Sequence, residues 1–200
     1  MLLCAKDLSF SYENGKPIFK NINLTISNTE KVAIFSPSGF GKSTLAKILS
    51  GYEKPTSGIV MFDNEKLPKF GFCPVQLIFQ HPEKSVNPKW KIGKILNEGG
   101  AFDEGMLDRL SIPKEYLNRF PSEVSGGELQ RICIARALKD STKFIIADEI
   151  TTMLDTITQA QIWDFVLEEV DKRNIGLLVI THNEFLAKRI CTKIIDFTSL

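Results

Sequence analysis

The chain has 200 residues, 43% of them hydrophobic and 24% charged, and a formal net charge of +1 at neutral pH. That length supports one domain with a sizeable core, or one domain carrying a small subdomain. The near-neutral balance argues against the strongly basic face on which nucleic-acid binding usually rests, so no nucleic-acid partner is expected.

The opening third reads as strands. Leu2–Tyr12 and Ile18–Ile26 alternate apolar and polar residues around the turn-rich Glu13-Asn14-Gly15-Lys16-Pro17, which predicts an antiparallel hairpin. Met1–Asp7 reaches a charge without a basic segment and an apolar run, so no signal peptide is read. Apolar stretches such as Leu177–Ile180 fall far short of the ~20 residues that cross a bilayer, and any tie to a membrane is expected to run through partner proteins. Lys31–Phe35 is a brief apolar run of the kind buried on both faces of a parallel sheet. A Gly-rich turn and a helix over Ser43–Ser50 follow, then strands at Ile59–Phe62 and Phe72–Phe79.

From about Asn87 to Asn118 short amphipathic pieces with several Gly and Pro replace the strand pattern, which predicts a small helical insertion. Gly127–Lys139 is a helix with Leu129, Ile132, Cys133 and Leu138 on its inward face. Strand and helix then alternate: Phe144–Ala147, Ile157–Lys172, Leu177–Ile180, Asn183–Arg189 and Ile194–Phe197. The expected fold class is α/β, with a parallel-sheet core, an N-terminal antiparallel β subdomain and a small α-helical subdomain over about residues 87–140 of a single domain spanning 1–200. Cys4, Cys73, Cys133 and Cys191 are far apart with no C-x-x-C pair and are read as buried free thiols. Trp90 and Trp163 are read as packing residues, and His81 as a solvated loop residue.

Ser36-Pro37-Ser38-Gly39-Phe40-Gly41-Lys42-Ser43-Thr44 lies between an apolar strand and a helix, the context in which such a loop cradles phosphate. Gly39 and Gly41 let the backbone wrap closely, so that amide N–H groups converge on phosphate oxygens beside the positive end of the helix dipole. Lys42 is expected to reach the β- and γ-phosphates of ATP, and the Ser43 hydroxyl to ligate Mg²⁺. The usual pattern opens with Gly, whereas Ser36 stands there; Ser costs little if φ is negative at that position. Phe144–Ala147 runs into Asp148 and Glu149. Asp148 suits holding Mg²⁺, and Glu149 suits polarising a water for in-line attack on the γ-phosphate.

Val124-Ser125-Gly126-Gly127-Glu128-Leu129-Gln130-Arg131 is a second anion-binding pattern, a Ser hydroxyl and Gly amides at a helix start. It resembles the Leu-Ser-Gly-Gly-Gln signature of ATP-binding-cassette proteins, with Val for Leu and Glu for Gln. The order of the other segments resembles the same family: Gln80 after the cradle as the Q-loop, Asp148-Glu149, Leu154-Asp155 as the D-loop, Thr181-His182 as the H-loop, and Tyr12 where an aromatic stacks on adenine. The resemblance spans nearly the whole chain. It implies a P-loop ATPase that pairs head to tail with a second ATPase subunit, identical or paralogous. Ser125, Gly126 and Gly127 then serve the ATP held by the partner's cradle, Gln80 senses Mg²⁺ and the attacking water, His182 contacts the γ-phosphate, and Asp155 acts across the seam. The negative charge of Glu128 falls where the helix dipole favours it.

Cassette ATPases of DNA repair carry long coiled coils, and translation-associated members carry two cassettes; this chain has neither a heptad array nor room for a second cassette. The reading is therefore an ATP-hydrolysing subunit of a membrane transporter, with a cassette ATPase not coupled to transport as the alternative. Ile78-Phe79-Gln80-His81-Pro82-Glu83-Lys84-Ser85-Val86-Asn87-Pro88-Lys89 is similar to a stretch in importers of oligopeptides and of nickel or related metal chelates, as is Phe120-Pro121-Ser122-Glu123 before the signature. That group implies integral membrane permease subunits, an extracytoplasmic substrate-binding protein and a place at the cytoplasmic face of the membrane.

Overall fold

A computed structural model describes residues 1–12, 15–37 and 39–200. β1 (Leu2–Phe10) and β2 (Phe19–Ser27) pair antiparallel, turning Leu3, Ala5, Leu8 and Phe10 inward on the first strand and Phe19, Ile22, Leu24 and Ile26 on the second. β3 (Lys31–Phe35) leads towards α1 (Lys42–Leu49), and β4 (Ser57–Phe62) returns to the free edge of β1. A two-residue strand, β5 (Glu65–Lys66), hangs on β4 through Asp63 and Asn64, both at positive φ. The register of β1 against β4 shifts between Lys6 and Ser9, where Asp7 takes φ 50°. Gly58 faces this bulge at φ 86°, and a Cβ there would stand 2.4 Å from the Asp7 carbonyl oxygen.

The second sheet is parallel throughout. β6 (Val75–Ile78), β7 (Phe144–Asp148), β8 (Gly176–Thr181), β3 and β9 (Lys193–Asp196) lie in the order β6-β7-β8-β3-β9. Every residue of β7 and β8 is buried, which is why these segments read as unbroken apolar runs. Their two faces fill different cores. Phe144, Ile146, Leu178 and Ile180 meet α1 and the antiparallel sheet, together with Leu45, Ile48 and Leu49. Ile145, Ala147, Leu177 and Val179 meet the helices of the opposite side. Each such fully buried aliphatic side chain contributes about 1.5–3 kcal/mol relative to exposure.

Those helices are α2 (Ile92–Leu96), α3 (Gly105–Arg109), α4 (Gly126–Ala137) and α5 (Thr156–Arg173), with Ile95, Leu107, Ile132 and Val166 in the shared core. α6 (Glu184–Ile190) follows β8. Among the described residues, the elements between Asn87 and Ala137 are all helical: α2, α3, short 3₁₀ turns at Lys114–Asn118 and Pro121–Glu123, and α4. Polar ties bind this insertion to the body. Arg109 of α3 pairs with Glu168 at 2.8 Å and with the buried Glu169 at 2.5 Å, both on α5, and Arg173 approaches Glu169 at 3.4 Å. The Lys139 ammonium closes the end of α2 by donating to the carbonyls of Leu96 and Gly100.

Leu129, Ile132, Cys133 and Leu138 are all buried, as the helical spacing predicts. Trp163 is buried with Nε1–H donating to Thr151 Oγ1 at 3.1 Å, and Trp90 is partly buried with Lys94 Nζ 4.1 Å from its ring centroid. His81 lies partly exposed, 3.4 Å from Glu83. Two expectations need correction. The strand expected over Phe72–Phe79 covers only Val75–Ile78, because Pro74 has no N–H to give a ladder and instead lends its carbonyl to the amides of Lys143 and Phe144. All four cysteines are free, but only Cys133 is buried; Cys4, Cys73 and Cys191 are partly exposed, at strand and loop positions the cores do not enclose. No helix among the described residues is long and apolar enough to cross a membrane.

Candidate functional site

The loop from β3 to α1 is shaped by its glycines. Gly39 and Gly41 take φ 92° and 94°, the left-handed region that a side chain resists. At Gly41 a Cβ would also fall 2.2 Å from Ile18 Cγ2, so both the backbone and the space require glycine. Ser36 is not among the positive-φ residues and is 1% exposed, which explains how Ser fills the place where the pattern opens with Gly. Ser38 lies outside the described residues. Lys42 is buried and donates to the carbonyl oxygens of Ser36 and Pro37, each at 2.7 Å. Burial pushes its ammonium below the ordinary lysine range, and the nearby Glu149 and Asp148 carboxylates oppose that shift. Among the described residues no side chain caps α1, so its first-turn N–H groups face this loop without such an acceptor.

These residues open onto a cavity of about 400 Å³ lined by Tyr12, Ile18, Gly39, Gly41, Lys42, Ser43, Thr44, Gln80 and Glu149. It sits beyond the carboxyl ends of β3, β6 and β7, where open parallel sheets place ligands. Tyr12 is 54% exposed; its ring stands nearly perpendicular to that of Phe10 and its hydroxyl is 3.3 Å from Thr44 Oγ1, which steadies the ring. Phe40 is exposed and does not line the cavity. A larger cavity, about 630 Å³, lies between Tyr52, Phe72, Glu98 and Arg136. Its one arginine is already bonded to Glu98 and to the Ser85 carbonyl, and no lysine lines it. The smaller cavity is the one lined by the loop glycines and by Lys42.

The acidic pair ends β7. Asp148 is buried, and its Oδ1 has no hydrogen-bond partner among the described residues. Burial pushes the Asp148 carboxyl up, while the Ser43 hydroxyl draws it down. An orphaned carboxylate oxygen beside a hydroxyl is a hard-oxygen donor set of the kind that suits Mg²⁺. Glu149 has φ 49°, a left-handed conformation that costs a non-glycine residue of order 1–3 kcal/mol. Several bonds hold it there. Its N–H donates to the Ile180 carbonyl at 3.0 Å, Gln80 Nε2 donates to Oε2 at 3.1 Å, and His182 Nδ1 lies 2.9 Å from Oε1. Gln80 Nε2 also lies 3.4 Å from Thr152 Oγ1.

The remaining sequence-predicted residues do not line this cavity. Ser125 caps α4: its Oγ accepts the Glu128 N–H at 3.3 Å while Glu128 Oε2 accepts the Ser125 N–H at 2.7 Å. Gly126 faces open space, whereas a Cβ on Gly127 would stand 2.9 Å from Leu154 Cδ2. The signature is thereby packed against the segment that ends at Asp155. Asp155 caps α5, its Oδ1 accepting the N–H groups of Ile157 and Thr158 at 3.1 and 3.0 Å and its Oδ2 the Thr158 hydroxyl at 2.6 Å. One chain thus presents two separate groups, a phosphate-type cavity and a pair of capped helix starts. Ile18, Thr152 and Tyr116 join these groups without any motif to mark them.

Comparison with known proteins gives a consistent picture. A family model described as ABC transporter matches residues 19–152. The nickel import ATP-binding protein NikE of Rhodospirillum rubrum is 31% identical over an alignment covering 97% of this chain and 80% of its own length. The nickel import system ATP-binding protein NikE of Staphylococcus aureus is 34% identical, covering 95% and 84%. Among solved structures, the dimeric bacterial ABC transporter cassette MJ0796 has a TM-score of 0.82 at 27% identity, covering 97% of this chain and 93% of that one. The post-hydrolysis dimer of the same cassette, bound to ADP and Pi, has a TM-score of 0.81.

Proposed function

The chain belongs to the ABC transporter family and is an ATPase of that family, and from that premise we propose that it energises an importer of nickel or metal chelates, with peptides as the second cargo class. The observation that carries the catalytic reading is the placing of Glu149 between Gln80 and His182 over the cavity that Lys42 and Ser43 line. Two nickel-import relatives that align over nearly the whole chain support nickel ahead of peptides as cargo.

ATP would lie with its triphosphate in the loop of Gly39, Phe40, Gly41, Lys42, Ser43 and Thr44, with Ser38 beside it, and its adenine against the exposed ring of Tyr12. Lys42 would leave the Ser36 and Pro37 carbonyls for the β- and γ-phosphates, gaining two charged acceptors for two neutral ones. Mg²⁺, when bound, would be held by Ser43 and Asp148 with Gln80 nearby, and would neutralise phosphate charge. Glu149 would orient the attacking water and take up its proton, with His182 and Gln80 fixing the carboxylate. Ser125, Gly126 and Gly127 would close on the ATP of a second cassette packed head to tail, and Asp155 would meet that subunit at the seam. The dimeric state of MJ0796 supports such a pair. The helical segment 87–140 and the Gln80 loop would pass closure on to integral membrane permease subunits, which place the chain at the cytoplasmic face. A substrate-binding protein would deliver the cargo.

Extraction in mild detergent with this chain as bait tests the reading. Recovery of permeases that, in vesicles, take up nickel only when ATP is supplied is expected. Recovery of soluble partners alone, with ATP hydrolysis intact, would overturn the transport role and keep the cassette chemistry.

A further inference from the structure

The signature segment departs from the family pattern at Glu128, and the surroundings of that carboxylate give it a defined task. Both of its oxygens are taken. Oε2 accepts the Ser125 N–H and Oε1 accepts the Tyr116 hydroxyl, each at 2.7 Å. The Glu128 N–H returns to Ser125 Oγ at 3.3 Å. Ser125 Oγ thus accepts the Glu128 amide while its hydroxyl bonds the Glu128 carboxylate, so Glu128 fixes the serine side chain from both ends. Tyr116 is itself held: it sits on the 3₁₀ turn Lys114–Asn118, packs against the helical-side core, and carries the Arg119 guanidinium 4.2 Å above its ring.

A free carboxylate at this point would work against the signature. Glu128 is three residues from the serine that is to meet a triphosphate, and an unrestrained negative charge there would repel it. The Ser125 amide, the Tyr116 hydroxyl and the Ser125 hydroxyl hold the carboxylate ionised and below its ordinary range, so the charge stays and must be steered rather than removed. Glutamine at the same place would carry no charge to steer. It would offer one acceptor oxygen to the Ser125 amide and turn its NH₂ towards the phenol, so tyrosine matters most when glutamate is present.

We propose that Tyr116 is a positioning residue for ATP hydrolysis: it anchors the Glu128 carboxylate at the cap of α4 and, through Glu128, fixes the Ser125 side chain that meets the ATP of the partner subunit. The proposal rests on the reading above that Ser125 serves the second subunit's nucleotide. It assigns a role to a residue outside every recognised segment of the family pattern.

The test is a double-mutant cycle in the purified ATPase–permease complex, with Tyr116→Phe, Glu128→Gln and the pair together, read as KM for MgATP against kcat. Tyr116→Phe is expected to raise KM about fivefold, the scale of one exposed hydrogen bond to a charged group, with kcat changed by less than about twofold. In the Glu128→Gln background the same substitution is expected to have a much smaller effect, a rescue that a general loss of folding would not produce. The affinity of the isolated chain for ATP is expected to be unchanged, because its own cradle does not include Tyr116. Equal effects of Tyr116→Phe in both backgrounds would overturn the proposal, as would an unchanged KM when Ser125→Ala is impaired. A Ser125→Ala complex with normal kinetics would instead remove the two-subunit reading, and the Tyr116 proposal with it.

Discussion

His182 Nδ1 lies 2.9 Å from Glu149 Oε1, so the imidazole is tied to a carboxylate that lines the cavity. With Nδ1–H donating, the carboxylate keeps its other oxygen, Oε2, towards Gln80. Glu149→Gln keeps the shape and removes the proposed base. It is expected to lower turnover by about 10²–10⁴-fold while leaving ATP affinity near that of the parent, as read by single-turnover hydrolysis and by calorimetry. His182→Ala is expected to lower kcat less, since Gln80 and the Ile180 carbonyl still hold the residue. Near-parental turnover by Glu149→Gln in the assembled complex would take Glu149 out of its assigned role.

Lys42 gives a contrasting signature. Its ammonium is bonded to two loop carbonyls and buried, so Lys42→Ala removes both a ligand for phosphate and the internal tie of the loop. Nucleotide affinity is expected to fall by about two orders of magnitude, on the scale of charge-assisted bonds to phosphate. Calorimetric titration with ATP would show this directly; unchanged affinity would mean that the lysine never leaves the Ser36 and Pro37 carbonyls.

Gly58→Ala tests the bulge of β1. The new Cβ would meet the Asp7 carbonyl at 2.4 Å, a backbone atom that cannot swing aside, and φ 86° adds its own penalty. A loss of about 2–3 kcal/mol in unfolding free energy is expected, measured by urea denaturation.

The tie between insertion and body is similarly testable. Glu169 is buried with Arg109 on one side and Arg173 on the other. Arg109→Ala leaves the carboxylate with one partner and is expected to cost about 2 kcal/mol. Faster amide exchange confined to α3 and its neighbours would locate the loss in the insertion rather than in the whole fold.

Asp155 supplies the pH dependence. Its carboxyl is held below the ordinary value of 3.8, first by the Thr158 hydroxyl and then by the Thr158 and Ile157 amides. A carboxyl depressed in the folded state adds stability at every pH above its ordinary value and loses it as pH falls through the lower folded value. Asp155→Ala is therefore expected to melt below the parent at neutral pH, with the gap narrowing as pH drops beneath 3.8. A gap independent of pH would show that the cap acts through shape and not through charge.

What could be read from residue order was set by range. The strands of the parallel sheet showed as apolar runs because both faces are buried, and the phosphate loop showed because glycine positions and the following Lys42-Ser43 are local chemistry. β5 did not show: Glu65 and Lys66 are exposed and polar, and only the turn at Asp63 and Asn64 makes them a strand. α2 and α3 are five residues each, too short to display a period. The meeting of Tyr116 with Glu128 spans a 3₁₀ turn and a loop, and no spacing rule connects a lone aromatic to a helix cap. Gln80, Glu149 and His182 could be named one by one, but their convergence on a single carboxylate belongs to the sheet order β6-β7-β8.

That sheet order also constrains how the family line can drift. Phe144 and Ile146 answer to the core with α1, Ile145 and Ala147 to the core with the insertion, and Glu149 is the next residue but one. A change of volume on either side moves the same short strand, so neither core can be repacked without the other having to follow. Substitutions accepted under the antiparallel sheet should therefore travel through descent with substitutions on the helical side, in pairs of residues that never touch, with the position of one carboxylate as what selection sees.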